Sequence, residues 1–275
     1  MRTDPMRIFP RTDPRHVLRA VVVAVALCAS ASAGSAPPPV ALAAGQRAPD
    51  AVPLALDDYT GFEPIFDGSS LKGWDGDRSY WRVENGAIVG ESTPEHPVEQ
   101  NTFLIWRGGQ PTDFELKVEY RLSATNSGIQ IRSAQVPAGA EVGKWVLRGY
   151  QADIDVENEY TGMIYEERGR GFLARRGQAA YVPAGEDARP RIIGNLEQRA
   201  DELQRIIKTG DWNHVHIIAR GNTIVQILNG HVTSVLVDDD EANRSLGGLI
   251  GFQMHRGDPM KVEFRNVYLK KHADR

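Results

Sequence analysis

The sequence predicts an all-β fold in which two antiparallel sheets pack into a sandwich, with one short helix and one long loop. From Tyr59 onward, apolar and polar residues alternate, Gly/Asn turns recur, and only one segment has helical character. Residues 113–122 (DFELKVEYRL) show the alternation best, because every second residue is apolar and those between are charged. Such strands bury one face and expose the other.

The remaining elements follow from the same pattern and from turn residues. Residues 81–90 (WRVENGAIVG), 214–232 (HVHIIARGNTIVQILNGHV), 248–255 (GLIGFQMH) and 262–270 (VEFRNVYLK) are predicted to contain strands, and the second segment has hairpin turns at 220–222 and 229–230. The helix is predicted at residues 197–208 (EQRADELQRIIK) and ends at Gly210. Residues 166–196 lack a clear period, so we expect a long loop across one edge of the sandwich.

The N-terminal region predicts export. Five arginines precede the apolar run at 20–29 (AVVVAVALCA), and small residues follow it, as in a secretory signal. We assign residues 1–33 to the signal peptide, 34–58 to an Ala/Pro-rich linker and 59–272 to the sandwich domain. The expected location is periplasmic or extracellular, with no membrane insertion after cleavage; an uncleaved anchor is the alternative. A lipoprotein is disfavoured, because Leu27 fits poorly before Cys28, the only cysteine.

Charge and motifs narrow the function. The formal charge is -4, and basic residues are scattered among acidic ones, so no nucleic-acid partner is expected. The sequence contains no Gly-x-Ser-x-Gly, CxxC, HExxH or phosphate-loop motif, which argues against serine hydrolase, zinc protease and nucleotide chemistry.

Three predicted strands carry unusual polar residues on the face opposite their apolar residues. They lie in residues 126–133 (NSGIQIRS), 149–155 (GYQADID) and 251–255 (GFQMH). If these strands are neighbours, their polar groups form one patch that can hydrogen-bond a small carbohydrate and move a proton. Alternatively, the arginine and an aspartate form only a structural cross-strand ion pair. The residues of the patch are Gln130, Arg132, Gln151, Asp153, Asp155, Gln253 and His255.

Several stretches, in one order along the chain, match a known family. They begin with GFEPIFDGSSLKGW and YWRVENGAIVG and continue through residues 101–133, 149–155, 161–177, 210–230 and 251–270. In these stretches the chain resembles the 3-keto-disaccharide hydrolase domain, formerly a domain of unknown function. The resemblance implies a concanavalin A-like jelly-roll sandwich whose concave sheet holds a carbohydrate. It further implies activity on glycosides already oxidised to a ketone at sugar C3, in a protein exported by bacteria.

A mechanism follows from the chemistry of such a substrate. The C3 ketone acidifies the C2 proton, so Asp153 or His255 is expected to act as the base, followed by elimination of the C1 group and hydration. Gln130, Arg132 and Gln151 are candidate donors to the enolate oxygen or nearby hydroxyls. Gln253 and Asp155 complete the expected substrate-binding set. A divalent metal held by His and carboxylate ligands is an alternative to these donors, although no spacing identifies its ligands.

Two other functions remain open from sequence. Ordinary glycosidase chemistry needs two carboxyl groups, for which Asp153 with Asp155 or Glu157 is the available combination. A non-catalytic carbohydrate-binding or scaffolding module is the alternative from another class, because a jelly roll supports both binding and catalysis.

Overall fold

A computed structural model describes residues 55–139, 141–196 and 198–273. Within these ranges the chain forms seventeen β-strands and one short helix, arranged as two sheets. The predicted signal peptide, the linker up to residue 54 and Glu197 at the predicted start of the helix lie outside the described residues. No helix in the described part of the chain is long and apolar enough to cross a membrane.

Ten strands form the larger sheet, in the order β12-β11-β15-β14-β13-β6-β17-β4-β3, with β1 paired to β17. All its pairings are antiparallel except that of β11 with β15. Its strands are β1 (Glu63–Pro64), β3 (Trp81–Glu84), β4 (Ala87–Glu91), β6 (Phe114–Leu122), β11 (Gln178–Val182), β12 (Arg191–Asn195), β13 (Asn213–Arg220), β14 (Thr223–Leu228), β15 (His231–Asp238) and β17 (Lys261–Lys271).

Seven strands form the smaller sheet, in the order β10-β9-β8-β7-β16-β5-β2, and all its pairings are antiparallel. The three segments predicted to carry the polar patch are therefore adjacent strands, β8-β7-β16. The strands are β2 (Trp74–Asp75), β5 (Thr102–Trp106), β7 (Asn126–Gln135), β8 (Leu147–Asp155), β9 (Ile164–Glu167), β10 (Gly171–Ala174) and β16 (Leu249–Met254).

The main core combines apolar side chains from both sheets. Leu116 and Val118 of β6, at alternate positions as the sequence predicted, are fully buried there. Phe252 of β16 stacks on Phe264 of β17 with ring centroids 4.0 Å apart, so one aromatic pair joins the smaller sheet to the larger. Burial of such a side chain contributes about 1.5–3 kcal/mol.

The prediction of a long loop at 166–196 is wrong, because the segment contains short strands. Most of this segment is ordered into the end of β9 and strands β10, β11 and β12. The chain passes from β10 in the smaller sheet to β11 in the larger, so the segment joins the two sheets at one edge. These strands have only four or five residues, and Arg- and Gly-rich turns separate them, which hides their period in the sequence.

A buried ion cluster fixes that edge. Arg170, in the turn between β9 and β10, donates to Glu166, Asp238 and Asp240, and its five bonds use all five guanidinium N–H groups. Tyr150 of β8 donates to Asp238 at 2.5 Å. Since Glu166 belongs to the smaller sheet and Asp238 to the larger, the cluster joins the two sheets.

The helix α1 (Ala200–Arg205) is shorter than predicted. The carboxylate of Glu202 accepts a hydrogen bond from the backbone N–H of Arg199 at 3.0 Å, which satisfies one amide at the start of the helix. Leu203 is its one buried residue within the described part of the chain. Hydrogen bonds from Arg176 Nε to Ala200 O at 3.2 Å and from Gln204 Nε2 to Asn158 O at 3.1 Å also hold the helix to neighbouring segments.

Candidate functional site

A cavity of about 520 Å³ opens on the face of the smaller sheet opposite the core. Its lining includes Gln151 and Asp153 of β8, Gln253 of β16 and His255, which follows β16. These are four of the seven residues that the sequence placed in one polar patch. They meet because β7 lies between β8 and β16 and because period two sends their side chains to the same face.

Asp153 occupies the floor of the cavity and is only 5 % exposed. Its Oδ1 accepts hydrogen bonds from Asn126 Nδ2 at 3.3 Å, Gln151 Nε2 at 3.2 Å and the Ile154 backbone N–H at 3.1 Å. Its Oδ2 accepts none from the described residues. One oxygen therefore holds the carboxyl group in place, and the other is free to take a proton.

Burial raises the pKa of Asp153 from 3.8 to about 7. The hydrogen bonds from Asn126 and Gln151 favour the anion and work against the effect of burial, whereas the charge of Asp155 adds to it. A carboxyl group with a pKa near neutrality is suited to exchange a proton with a substrate.

Gln253 is fully buried, and its Oε1 has no hydrogen-bond partner among the described residues. Its Nε2 donates to Glu167 Oε2 at 3.5 Å, and Asn101 Nδ2 donates to Glu167 Oε1 at 3.2 Å. The opposite orientation of the Gln253 amide would place its oxygen against the carboxylate of Glu167. The unpaired oxygen is thus a buried acceptor beside the cavity, which a ligand hydroxyl can reach once the Gln253 side chain shifts.

Gln130 lies behind the cavity rather than in its lining. It is fully buried, and its Nε2 donates to Gln151 Oε1 at 2.9 Å. The predicted direct contact of Gln130 with a substrate is therefore corrected, because Gln151 stands between it and the cavity.

Arg132 is a second correction. The register of β7 shifts between Ile131 and Ala134, and Arg132 adopts a left-handed φ of 45°, so the alternation that pairs it with Gln130 is interrupted. Its guanidinium donates to Thr112 O at 2.7 Å and to Gly221 O at 2.7 Å, and it pairs with Asp113 at 3.3 Å. Arg132 thus contacts neither the cavity nor the aspartates of β8, contrary to both interpretations from sequence.

Asp155 is a third correction. Its carboxylate accepts backbone N–H bonds from Glu159 at 2.9 Å, from Tyr160 at 2.8 Å and from Thr161 at 2.8 Å, which closes the turn after β8. It contributes to the site by holding Tyr160 in the cavity wall and does not line the cavity itself. It is therefore unavailable as the second carboxyl group of an ordinary glycosidase pair.

Sequence reasoning missed one wall of the cavity. Phe172 stacks with Tyr160 at a centroid distance of 5.3 Å and meets the edge of Tyr165 at 5.1 Å. Aromatic faces of this kind provide apolar contact area for the C–H faces of a sugar ring. Alternation in residues 164–167 (IYEE) was the available signal, since Tyr165 and Glu167 share the cavity face.

The metal alternative has no ready ligand set. In the ranges 55–139, 141–196 and 198–273, no three His, Cys, Asp or Glu side chains are grouped so that they could hold a metal ion.

The raised pKa of Asp153 predicts a pH-dependent effect on stability. The unfolded chain releases this proton near pH 3.8, whereas the folded protein keeps it up to about pH 7. The stabilisation from this group is thus complete below pH 3.8 and is lost as the pH rises through about 7. Asparagine does not ionise, so the Asp153→Asn variant lacks this loss. We therefore expect the unfolding free energy of Asp153→Asn relative to wild type to increase by about 1–4 kcal/mol as the pH rises from about 4 to about 8. Urea unfolding across this range measures the gain, and a difference independent of pH would contradict it.

Solved structures provide the first comparison. A candidate glycosyl hydrolase from Parabacteroides distasonis ATCC 8503 is 19% identical, with 78% of this chain and 95% of that chain covered and a TM-score of 0.49. A Bacillus subtilis protein of unknown function with a galectin-like fold is 12% identical, with coverages of 78% and 96% and a TM-score of 0.50. The Bacillus licheniformis beta-glucanase is 10% identical, with coverages of 77% and 97% and a TM-score of 0.43. The galectin-like structure agrees with the sandwich described above.

The sequence itself gives the stronger result. No curated protein matches the chain. The profile of the 3-keto-alpha-glucoside-1,2-lyase-like domain matches residues 61–270, which cover nearly all of both sheets. The family predicted from the sequence motifs and the all-β jelly-roll fold are thereby confirmed. The chain belongs to the 3-keto-alpha-glucoside-1,2-lyase-like domain family.

Proposed function

We propose that the protein cleaves 3-keto-glucosides by removing the C2 proton and eliminating the group at C1. Family membership makes the chain a carbohydrate-active, glycosyl hydrolase-like protein. The observation that carries the finer proposal is Asp153, a buried carboxyl group with a pKa of about 7 and one unengaged oxygen in a polar cavity. A base of this kind is required where a carbonyl group acidifies the neighbouring C–H bond.

In the proposed reaction, Asp153 Oδ2 takes the proton from C2, and the electron pair of that bond forms an enolate with its charge on the C3 oxygen. Asn126 and Gln151 each donate one amide N–H to Asp153, and their second N–H groups are donors available to the enolate oxygen. The enolate then collapses, the C1–O bond breaks, and His255 supplies a proton to the leaving oxygen. The product is a 1,2-unsaturated 3-keto sugar, to which water can add.

Binding uses other groups of the same cavity. The unpaired Oε1 of Gln253 accepts a sugar hydroxyl, and the aromatic wall of Tyr160, Tyr165 and Phe172 packs against the ring. The predicted export fits this substrate class, since small glycosides are available outside the cytoplasm. Detection of the mature chain in the periplasm or medium, with its N-terminus determined, tests that part of the proposal.

The test is a panel of 3-keto-glucosides of both anomers and their unoxidised parents, incubated with the protein with and without chelator. We expect the keto sugars to be consumed and the parents to persist. In D₂O, elimination followed by hydration places deuterium at C2, whereas direct hydrolysis leaves the C2 hydrogen in place. Consumption of the parents with no preference for the ketone would instead support a glycosidase that uses Asp153 and Glu167, the two carboxylates described above in this cavity. Binding of sugar without consumption would support a binding module.

A further inference from the structure

A chain of hydrogen bonds runs beneath the cavity and ends on Asp153. Ser133 Oγ donates to Gln130 Oε1, Gln130 Nε2 donates to Gln151 Oε1 at 2.9 Å, and Gln151 Nε2 donates to Asp153 Oδ1 at 3.2 Å. Ser133, Gln130 and Gln151 are at most 2 % exposed. The chain crosses from β7 to β8 because Gln130 and Gln151 are directly paired across the two strands.

The two glutamine amides are oriented from the Asp153 end, because Asp153 Oδ1 is already an acceptor for Asn126 and the Ile154 backbone N–H. At the other end, Ser133 Oγ shares its one hydrogen between Gln130 Oε1 and Ile131 O, the latter at 3.0 Å. Because Gln151 Oε1 accepts from Gln130, the Gln151 amide presents its N–H side to Asp153. An amide held in this way donates a hydrogen bond to the Asp153 carboxylate and cannot accept one from the O–H of the neutral carboxyl group. Without Gln130, the Gln151 amide could turn, and its oxygen would then stabilise protonated Asp153.

Two glycines make room for this chain. A Cβ at Gly128, opposite Asp153, would lie 2.2 Å from Gln151 Cδ, so only glycine lets the Gln151 side chain lie across β7. At Gly149 a Cβ would lie 2.7 Å from Ser133 Oγ, and φ is +141°. Both ends of the chain of side chains therefore depend on a missing Cβ in a neighbouring strand.

We propose that Gln130 and Ser133 are positioning residues that act through Gln151 to orient Asp153 and to set the proton affinity of its Oδ2. The catalytic part of this inference rests on the proposed function, but the effect of the hydrogen-bond chain on Asp153 can be tested without turnover. Gln130 would then act on the reaction indirectly, through Gln151 and Asp153, in place of the direct substrate contact expected from sequence.

Other charged groups also act on Asp153. Asp155 on the same strand disfavours its anion. The titratable side chains that share the cavity come from four further segments, and a variant at Gln130 leaves all of them in place. They are Glu99, Tyr160, Tyr165, Glu167, Arg168, His255 and Arg256.

The first test is a ¹³C NMR titration of the Asp153 carboxyl, assigned by its absence in Asp153→Asn. In Gln130→Met we expect the pKa of Asp153 to move upward by about one pH unit, because the hydrogen bond from Gln151 that stabilises the Asp153 anion is weakened. The matched control is Gln226→Met, because Gln226 is also 2 % exposed and accepts from a buried serine, Ser234, at 3.4 Å in the larger sheet. We expect no change of the Asp153 pKa in this control.

The same pKa in wild type, Gln130→Met and Gln226→Met would overturn the inference, whatever the activity of the protein. A shift in Gln130→Met with no turnover by wild type would instead uphold the positioning role and reject the proposed function. The two failures are therefore distinguishable.

The second test is the pH profile of kcat/KM for Gln130→Met and Ser133→Ala. We expect the acidic limb of the profile to move to higher pH, with about a 10-fold loss near pH 7 that is partly recovered at alkaline pH. Ser133→Ala should show the smaller shift, because it loosens only the first bond of the chain. A loss of the same size at every pH would indicate a structural role and overturn the inference.

Discussion

Replacing Asp153 with asparagine is expected to lower kcat/KM for a 3-keto-glucoside by about 10³-fold, within the range that a general base contributes. Asparagine keeps the shape of the side chain and an oxygen that can accept the bonds from Asn126 and Gln151. It lacks a basic oxygen for the C2 proton. Sugar binding should persist, because the aromatic wall and Gln253 are unchanged, and initial rates together with binding isotherms measure the two effects separately.

The matched variant is Glu167→Gln in the same cavity. Its carboxylate accepts from two amides, Asn101 and Gln253, so we assign it to binding and expect a loss of less than about 10-fold. Equal, large losses in the two variants would indicate a two-carboxylate glycosidase. Retention of activity by Asp153→Asn within about 10-fold of wild type would remove Asp153 from the role of base.

Arg170→Met is expected to destabilise the fold by about 3–5 kcal/mol, the cost of removing one partner from a buried ion cluster. The side chains of Asp238 and Asp240 are each only 2% exposed and would be left as uncompensated anions beside Glu166. Arg170→Lys should lie between wild type and the Met variant, because an ammonium group keeps the charge but cannot make the forked bonds. Urea unfolding measures the loss.

The control for this prediction is Arg168→Met in the same turn. Arg168 is exposed and forms no ion pair within the described residues, so its removal should change stability by less than about 0.5 kcal/mol. Equal losses at the two positions would show that the turn itself, rather than the ion cluster, carries the stability.

Much of the site could be predicted from sequence because it depends on period two. Gln151 and Asp153 share a face of β8, and a polar residue on an otherwise apolar strand is readable without a structure. Gln253 has the same signal in β16. The adjacency of these strands was a condition of the prediction, and the strand order β8-β7-β16 meets it.

The errors have a physical pattern. The prediction for Arg132 is wrong because a bulge in β7 turns the residue to another face, and nothing in the sequence NSGIQIRS marks the bulge. The prediction for Asp155 is wrong because the residue lies at the end of β8, where its carboxylate accepts hydrogen bonds from the backbone amides that follow. The aromatic wall and Glu167 lie in or beside strands of four residues, where the alternation of residues 164–167 is too brief to stand out as a strand signal.

The one parallel pairing in the larger sheet has a consequence for folding order. β11 pairs with β15, which lies far downstream and is itself built onto β14 and β13. Pairing at such a sequence separation carries a large entropy cost until the downstream hairpins exist. We therefore expect β11 to dock after the rest of the sandwich, together with β10 and the turn at 168–170 that precede it in the chain. The side of the cavity lined by Arg168 and Phe172 would then be the last to form and the first to open, so pulsed hydrogen exchange should find the amides of residues 168–182 protected latest during refolding.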